Sequence, residues 1–206
     1  MNLEGQGGQQ FVAEGAHNNL RLGRLGALVT TELHGRYFEQ ARYGNVFIAQ
    51  AIVTAPVIYT TAAGTGGPLL WNPPTSGVNC ALLAASVGVT VVTTVAAALG
   101  ITGNSGQTSA PTSTTAIDGK TNAIIGNTTS RATAFRVGTV ANAGNFLLPF
   151  AALHTGALTV DNTSVAFVDL GGLIIVPPGS WASIAASATA TTTVATLGLV
   201  WEEVTI

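Results

Sequence analysis

Few side chains of this 206-residue chain can do chemistry, and their spacing decides what is open to them. The histidines are His17, His34 and His154; no two are spaced as a zinc pair, and no His-Glu-x-x-His run occurs. Beyond Arg42 the only carboxylates are Asp118, Asp161, Asp169, Glu202 and Glu203. Glycoside hydrolysis would need two of them across a cleft. Trp71, Trp181 and Trp201 could stack on a sugar, or serve as packing anchors in a core or an interface. If the terminal segment is an alternating strand, one of Glu202 and Glu203 shares the face of Trp201. The other opposes it, facing solvent or a partner. Asp161 and Asp169 sit beside turn residues and are expected to cap or terminate strands. Asp161-Asn162 offers oxygen ligands to calcium without the spacing of an EF-hand loop. Ser180 has no base nearby and no nucleophile-elbow pattern, and neither GxGxxG nor GxxxxGK[ST] occurs. The single cysteine, Cys80, lies among apolar neighbours and reads as a buried, inert thiol. No catalytic residue, metal or cofactor site is assigned, and the expectation is a binding or structural protein.

Composition points the same way. Charged residues make up 8% of the chain against 47% apolar ones, so much of the exterior is either Thr, Ser, Asn and Gln or covered by neighbouring subunits. Extended β edges need protection, which makes a homo-oligomer the expectation. Seven basic side chains and a net charge of −2 supply no clustered footprint for direct nucleic-acid binding. Residues 80–101 run without a charge and are long enough to span a membrane. Their Val-Thr patterning, with Ser86, Thr90, Thr93 and Thr94 inside the run, suits strands better, so no span is expected. Residues 1–10 lack the basic and apolar regions of a signal peptide.

Half of the charged residues fall before residue 43, and none follows until Asp118. This boundary separates an N-terminal arm, residues 1–45, from a β domain, residues 46–206. In the arm, Gly5 to Gln10 suits a flexible segment, and Leu20 to Leu25 an extended one. A short helix is expected over Thr31 to Tyr43, with Leu33, Tyr37 and Phe38 toward a partner. Leu20, Arg21, Arg24, Tyr37 and Arg42 are the protein-contact candidates, arginine being suited to pairing with interface carboxylates; the other reading of these arginines is a solvated face.

In the β domain, strands are expected in Phe47 to Thr61, with an edge, a bulge or a break at Pro56, then at Leu69 to Asn72, and along Val78 to Val95 as one long strand or a pair bent near Gly88. Gly103 to Lys120 reads as a long surface loop. Further strands are expected at Ala123 to Ile125, Ala132 to Val140, Phe146 to Phe150 and Gly156 to Val160. Three more fill Val165 to Ile206, broken at Pro177-Pro178-Gly179 and at the small-residue tract Ala185 to Thr193. About nine short strands with Gly/Pro turns and little helix predict a sandwich or barrel.

GPLLWNPPTSGVNCALLAASV (Gly67 to Val87), with GGLIIVPPGSWASIAASATATTTVATLGLVWEEV (Gly171 to Val204), resembles bacteriophage virion proteins with a jelly-roll domain. The resemblance covers about residues 45–206 and carries over no binding residue. It implies an all-β, jelly-roll-like antiparallel sandwich with an extended N-terminal arm. It further implies a structural subunit that cements, decorates or connects capsid, neck or tail proteins. Such a subunit would be made in the bacterial host cytoplasm and built into the virion as a homo-oligomer, a trimer favoured, against other virion proteins. The alternative on the same scaffold is a receptor-recognition protein that binds host-surface glycans through an exposed tryptophan.

Overall fold

The computed structural model describes residues 36–54, 56, 58, 67–91, 95–117, 119–126, 130–153, 165–188 and 194–206. The chain divides into two compact units, Met1–Glu39 and Gln40–Ile206. Of the first, only residues 36–39 are described, so the expected arm with Leu20, Arg21 and Arg24 lies outside the described residues. Helix α1, Phe38–Arg42, is shorter than the helix expected over Thr31 to Tyr43, whose start also falls outside. It stops because Gly44 takes a positive φ of 77°. The Gly44 N–H then reaches the Ala41 carbonyl at 3.0 Å and the Asn45 N–H the Gln40 carbonyl at 3.1 Å. Those two bonds are the glycine-closed helix end in which the last carbonyls are satisfied locally.

The strands then follow in order: β1 Val46–Thr54, where buried and exposed positions alternate, β2 Leu69–Asn72, β3 Val78–Val91, β4 Ala97–Ser105, β5 Thr112–Ala116 and β6 Gly119–Asn122. There follow β7 Thr133–Thr139, β8 Asn145–Leu153, β9 Val165–Val176, β10 Ser180–Ala186 and β11 Val194–Thr205. β1 pairs with β11, β2 with β10, β3 with β9 and β4 with β8, all antiparallel. The first four strands thus run back against the last four in reverse order, as one long hairpin. Rolling that hairpin sets β11 beside β3 and β10 beside β4. The result is two sheets, β6-β1-β11-β3-β9 and β5-β7-β2-β10-β4-β8. Their central orders, β1-β11-β3-β9 and β2-β10-β4-β8, are those of a jelly-roll sandwich. Between them lies the main core, with Phe47, Leu82, Leu99, Ile101, Ile184, Leu197, Leu199 and Trp201 fully buried.

Several expectations are corrected. Gly103 to Lys120 is not a loop: β4 runs through Ser105, β5 occupies Thr112–Ala116 and β6 begins at Gly119. β5 pairs only with β7 at a sheet edge and is mostly exposed, so threonine supplies its β geometry without apolar periodicity. Ala123 to Ile125 is a turn rather than a strand: the Ala123 N–H makes a last bond to the Val46 carbonyl at 2.8 Å, and the Asn122 side chain then takes over, its Oδ1 accepting the Ile124 N–H at 2.7 Å while its Nδ2 donates to the Gly44 carbonyl. The first strand ends at Thr54, and Ile58 contributes only an isolated bridge to Ala186. Of the two forms expected for Val78 to Val95, the structure has the single long strand: β3 passes through Gly88, with irregularities at Leu82–Ala84 and opposite Val194–Ala195. Ala185 and Ala186 belong to β10 rather than to a separating tract. The strand expected at Phe146 to Phe150 extends over Asn145–Leu153, with Pro149 beside a register shift on an edge strand, where a missing N–H is tolerated. Gly156 to Val160 lies outside the described residues. The charge-free run from Cys80 to Ile101 forms most of β3 and the start of β4, and no described helix is long and apolar enough to cross a membrane.

Candidate functional site

Two features could carry function: a polar pocket closed by a buried carboxylate, and one face of the five-stranded sheet. The pocket begins with the alternation of β11. Trp201 and Glu203 share the inward face and both are buried; Glu202, between them, points outward and is half-buried, and burial raises its carboxyl above the ordinary range. Glu203 is therefore the glutamate that accompanies Trp201. Its carboxylate accepts the Ser130 hydroxyl at 2.6 Å, the Ala132 N–H at 3.1 Å and the Arg131 N–H at 3.0 Å. The Trp201 indole N–H lies 3.5 Å from Oε1. Lys120, half-buried on β6, donates to the Ala132 carbonyl at 3.1 Å, and burial holds its ammonium below the usual lysine range. The connection from β6 to β7 passes from one sheet to the other, and Glu203 fastens that crossing to β11.

Tyr43, Asn45, Phe47, Arg131, Glu203 and Thr205 are among the residues lining a pocket of about 480 Å³ over this carboxylate. With its oxygens occupied by the chain's own donors, Glu203 acts as a clamp between sheets. Asn72 makes a second clamp: from β2 its Nδ2 donates to the Val78 carbonyl at 2.8 Å and the Val176 carbonyl at 2.9 Å on the opposite sheet. No group of three or more His, Cys, Asp or Glu suited to a metal occurs among the described residues; Asp161-Asn162 and all three histidines lie outside them.

Cys80 is fully buried on β3, and burial pushes its thiol well above the ordinary range, with the nearby Glu203 adding to the shift. The folded protein is expected not to react with a thiol reagent at pH 8, and to react fully once unfolded. Above about pH 9, the thiol's unperturbed value, the unfolded chain loses a proton that the folded chain keeps. Unfolding free energy should then fall by about 1.4 kcal/mol per pH unit, a slope missing from Cys80→Ala. Denaturant titrations at pH 8, 9 and 10 check both; equal slopes in the two proteins would contradict this placement of the thiol.

The three tryptophans take two environments. Trp201 lies in the main core with its ring stacked on Phe47, centroids 5.8 Å apart. Trp71 and Trp181 are cross-strand partners on the outer face of the six-stranded sheet, where Trp181 packs with Leu69 and Val140 in a second, small cluster. The residues near 107 and 140–144 fold over them: the half-buried Trp71 donates its indole N–H to the Gln107 carbonyl at 3.3 Å, and the Gln107 side chain accepts the Ala141 N–H at 2.7 Å. A Cβ on Gly144 would sit 2.8 Å from the Trp181 ring, so only glycine lets that segment approach. Of the arm candidates, Arg42 is exposed at the end of α1 with its guanidinium 5.1 Å from the centre of the Tyr43 ring, and Tyr37 is half-buried with Arg36 placed 5.3 Å over its own ring.

The second feature was not assigned from the sequence. Directly paired residues of antiparallel strands share a face. The register therefore sets Ile52, Thr196, Gly88 and Val165 in one row across β1, β11, β3 and β9. The next rows are Gln50, Gly198, Ser86 and Phe167, then Ile48, Val200, Ala84 and Asp169. This is the face turned away from the core. Along it β9 exposes Val165 (79%), Phe167 (70%), Leu173 (75%) and Ile175 (56%). Sequence reasoning recognised these as strand residues, but an apolar residue on the outer side of an edge strand has the same letter as one inside. Comparison of the chain with protein families, curated proteins and solved structures gives no match, so its own geometry is the basis for reading its function.

Proposed function

We propose that this chain is a structural subunit that stabilises a larger particle through protein–protein contacts, without catalysis. One observation carries the reading: the outer face of the five-stranded sheet bears an exposed apolar row on β9. An antiparallel sheet with one face in the core ordinarily turns polar side chains to the other. A strand apolar on both of its sides, as β9 is, is stable in water when a neighbour covers its outer side. Scarce charge across the chain, 8% of residues, agrees with covered surface. The particle is proposed to be a phage virion on the resemblance of Gly67 to Val87 and Gly171 to Val204 alone. There the subunit would be a homo-oligomer, a trimer favoured, with Leu20, Arg21, Arg24, Tyr37 and Arg42 as candidates for reaching neighbours.

The glycan-binding alternative needs an open indole. Trp181 and Trp201 are buried and Trp71 is half-buried with its N–H engaged, so no observation here favours it. Light scattering of the purified full chain tests the assembly reading: a mass about three times that of one chain is expected, and a monomer at every concentration would contradict it. Imaging of intact particles tests the setting, with repeated copies of the subunit expected on the virion.

A further inference from the structure

Resting on that assembly reading, we infer that the outer face of the five-stranded sheet is an interface between copies of this chain, in which the β9 ridge of one copy seats in the β11–β3 trough of the next. The trough is read from the register. Between the isoleucines of β1 and the Val165–Phe167 column of β9, the rows place Thr196, Gly198 and Val200 on β11 and Gly88, Ser86 and Ala84 on β3. Most of these side chains are short, so the floor lies lower than its rims. The ridge is the β9 column itself, whose four exposed side chains project from a strand at the sheet edge.

Three observations commit the face to a second copy. First, β9 carries no lysine and no proline to guard its edge, and its bulge at Gly171 and Gly172 leaves the apolar column on either side of it exposed. Its one charge, Asp169, turns its Oδ1 onto the Gly171 N–H at 3.0 Å. Second, the ridge and the low floor lie on one face of one chain, so a copy supplies both halves of the contact. Third, Val165, Phe167, Leu173 and Ile175 with Ile48, Ile52 and Val204 expose on the order of 800 Å² of residue surface, the share one partner gives to a stable interface of standard size. A ridge-to-trough contact joins unlike patches, and repeated head to tail it forms a ring when the rotation between copies closes; a trimer needs a turn of about 120° per copy.

The test uses the full-length chain with Phe167→Asp and Leu173→Asp together, read by light scattering and far-ultraviolet circular dichroism. The expected result is a fall of about threefold in mass, to the single chain, with the β spectrum retained. A wild-type monomer would overturn this inference together with the assembly reading. An oligomeric wild type whose mass the double variant leaves unchanged would overturn this inference alone. Should the double variant lose its β spectrum, a second variant decides. Phe167→Cys with Thr196→Cys places thiols two strands and one same-face row apart within a chain, about 12 Å, too far for an internal disulfide. Oxidation is expected to link chains covalently through these positions; chains that stay unlinked while co-purifying as an oligomer would overturn the ridge-to-trough contact.

Discussion

Replacing Glu203 by alanine is expected to remove about 3 kcal/mol of stability, because the Arg131 and Ala132 amides lose their acceptor together, while the Ser130 hydroxyl can turn to the Ala132 carbonyl at 2.8 Å. Each buried donor left without a partner costs about 1–3 kcal/mol. The adjoining pocket can admit water to some of them, which holds the total below the simple sum. Glu203→Gln keeps one acceptor oxygen but presents an amide NH₂ where the other oxygen accepted an N–H, so a loss of about 2 kcal/mol is expected. Equilibrium denaturation measures both variants. Hydrogen exchange supplies the local signature, with the Arg131 and Ala132 amides losing protection before the strands do. Should Glu203→Ala unfold within about 0.5 kcal/mol of wild type, the clamp assignment fails. The carboxylate would then be better explained as a group held for a ligand in the pocket beside it.

Trp201→Ala should be as severe. The ring is fully buried between the sheets and stacked on Phe47, and emptying a site of that size costs about 3–5 kcal/mol. A domain of this kind is stable by about 5–15 kcal/mol, so much of the margin disappears. Trp201→Phe keeps the aromatic stack and forfeits the volume difference and the indole N–H near Glu203, and a smaller loss is expected. The two positions are also expected to couple, since both act on the same end of the core. A double-mutant cycle over Trp201→Phe and Glu203→Gln should depart from additivity by more than about 0.5 kcal/mol. Strict additivity would show that the ring and the carboxylate do not share an environment.

Much of the architecture is written in local sequence. β-branched and other apolar residues specify β9 and β11 and the strand character of residues 80–101, while Pro177-Pro178-Gly179 marks where β9 must stop. Alternation alone places Trp201 on the face of one glutamate. These features are legible because each depends on residues within a few positions of one another. β5 escaped because an exposed edge strand has no apolar face to reveal itself, and Ala123 to Ile125 misled because three apolar residues in a turn look like a short strand.

Only the tertiary structure decides how the long hairpin rolls, since pairing β1 with β11 joins residues about 150 positions apart and a strand's own pattern does not name its partner. It decides that Glu203, rather than Glu202, meets donors more than 70 residues away, because which side of β11 faces inward is set by the opposing sheet. It also decides that the two faces of β9 differ. Ala166, Val168 and Ile174 pack toward the core while Val165, Phe167, Leu173 and Ile175 face outward, and nothing in the apolar letters distinguishes them. Composition is a property of the chain; which apolar atoms remain exposed is a property of where the sheet ends.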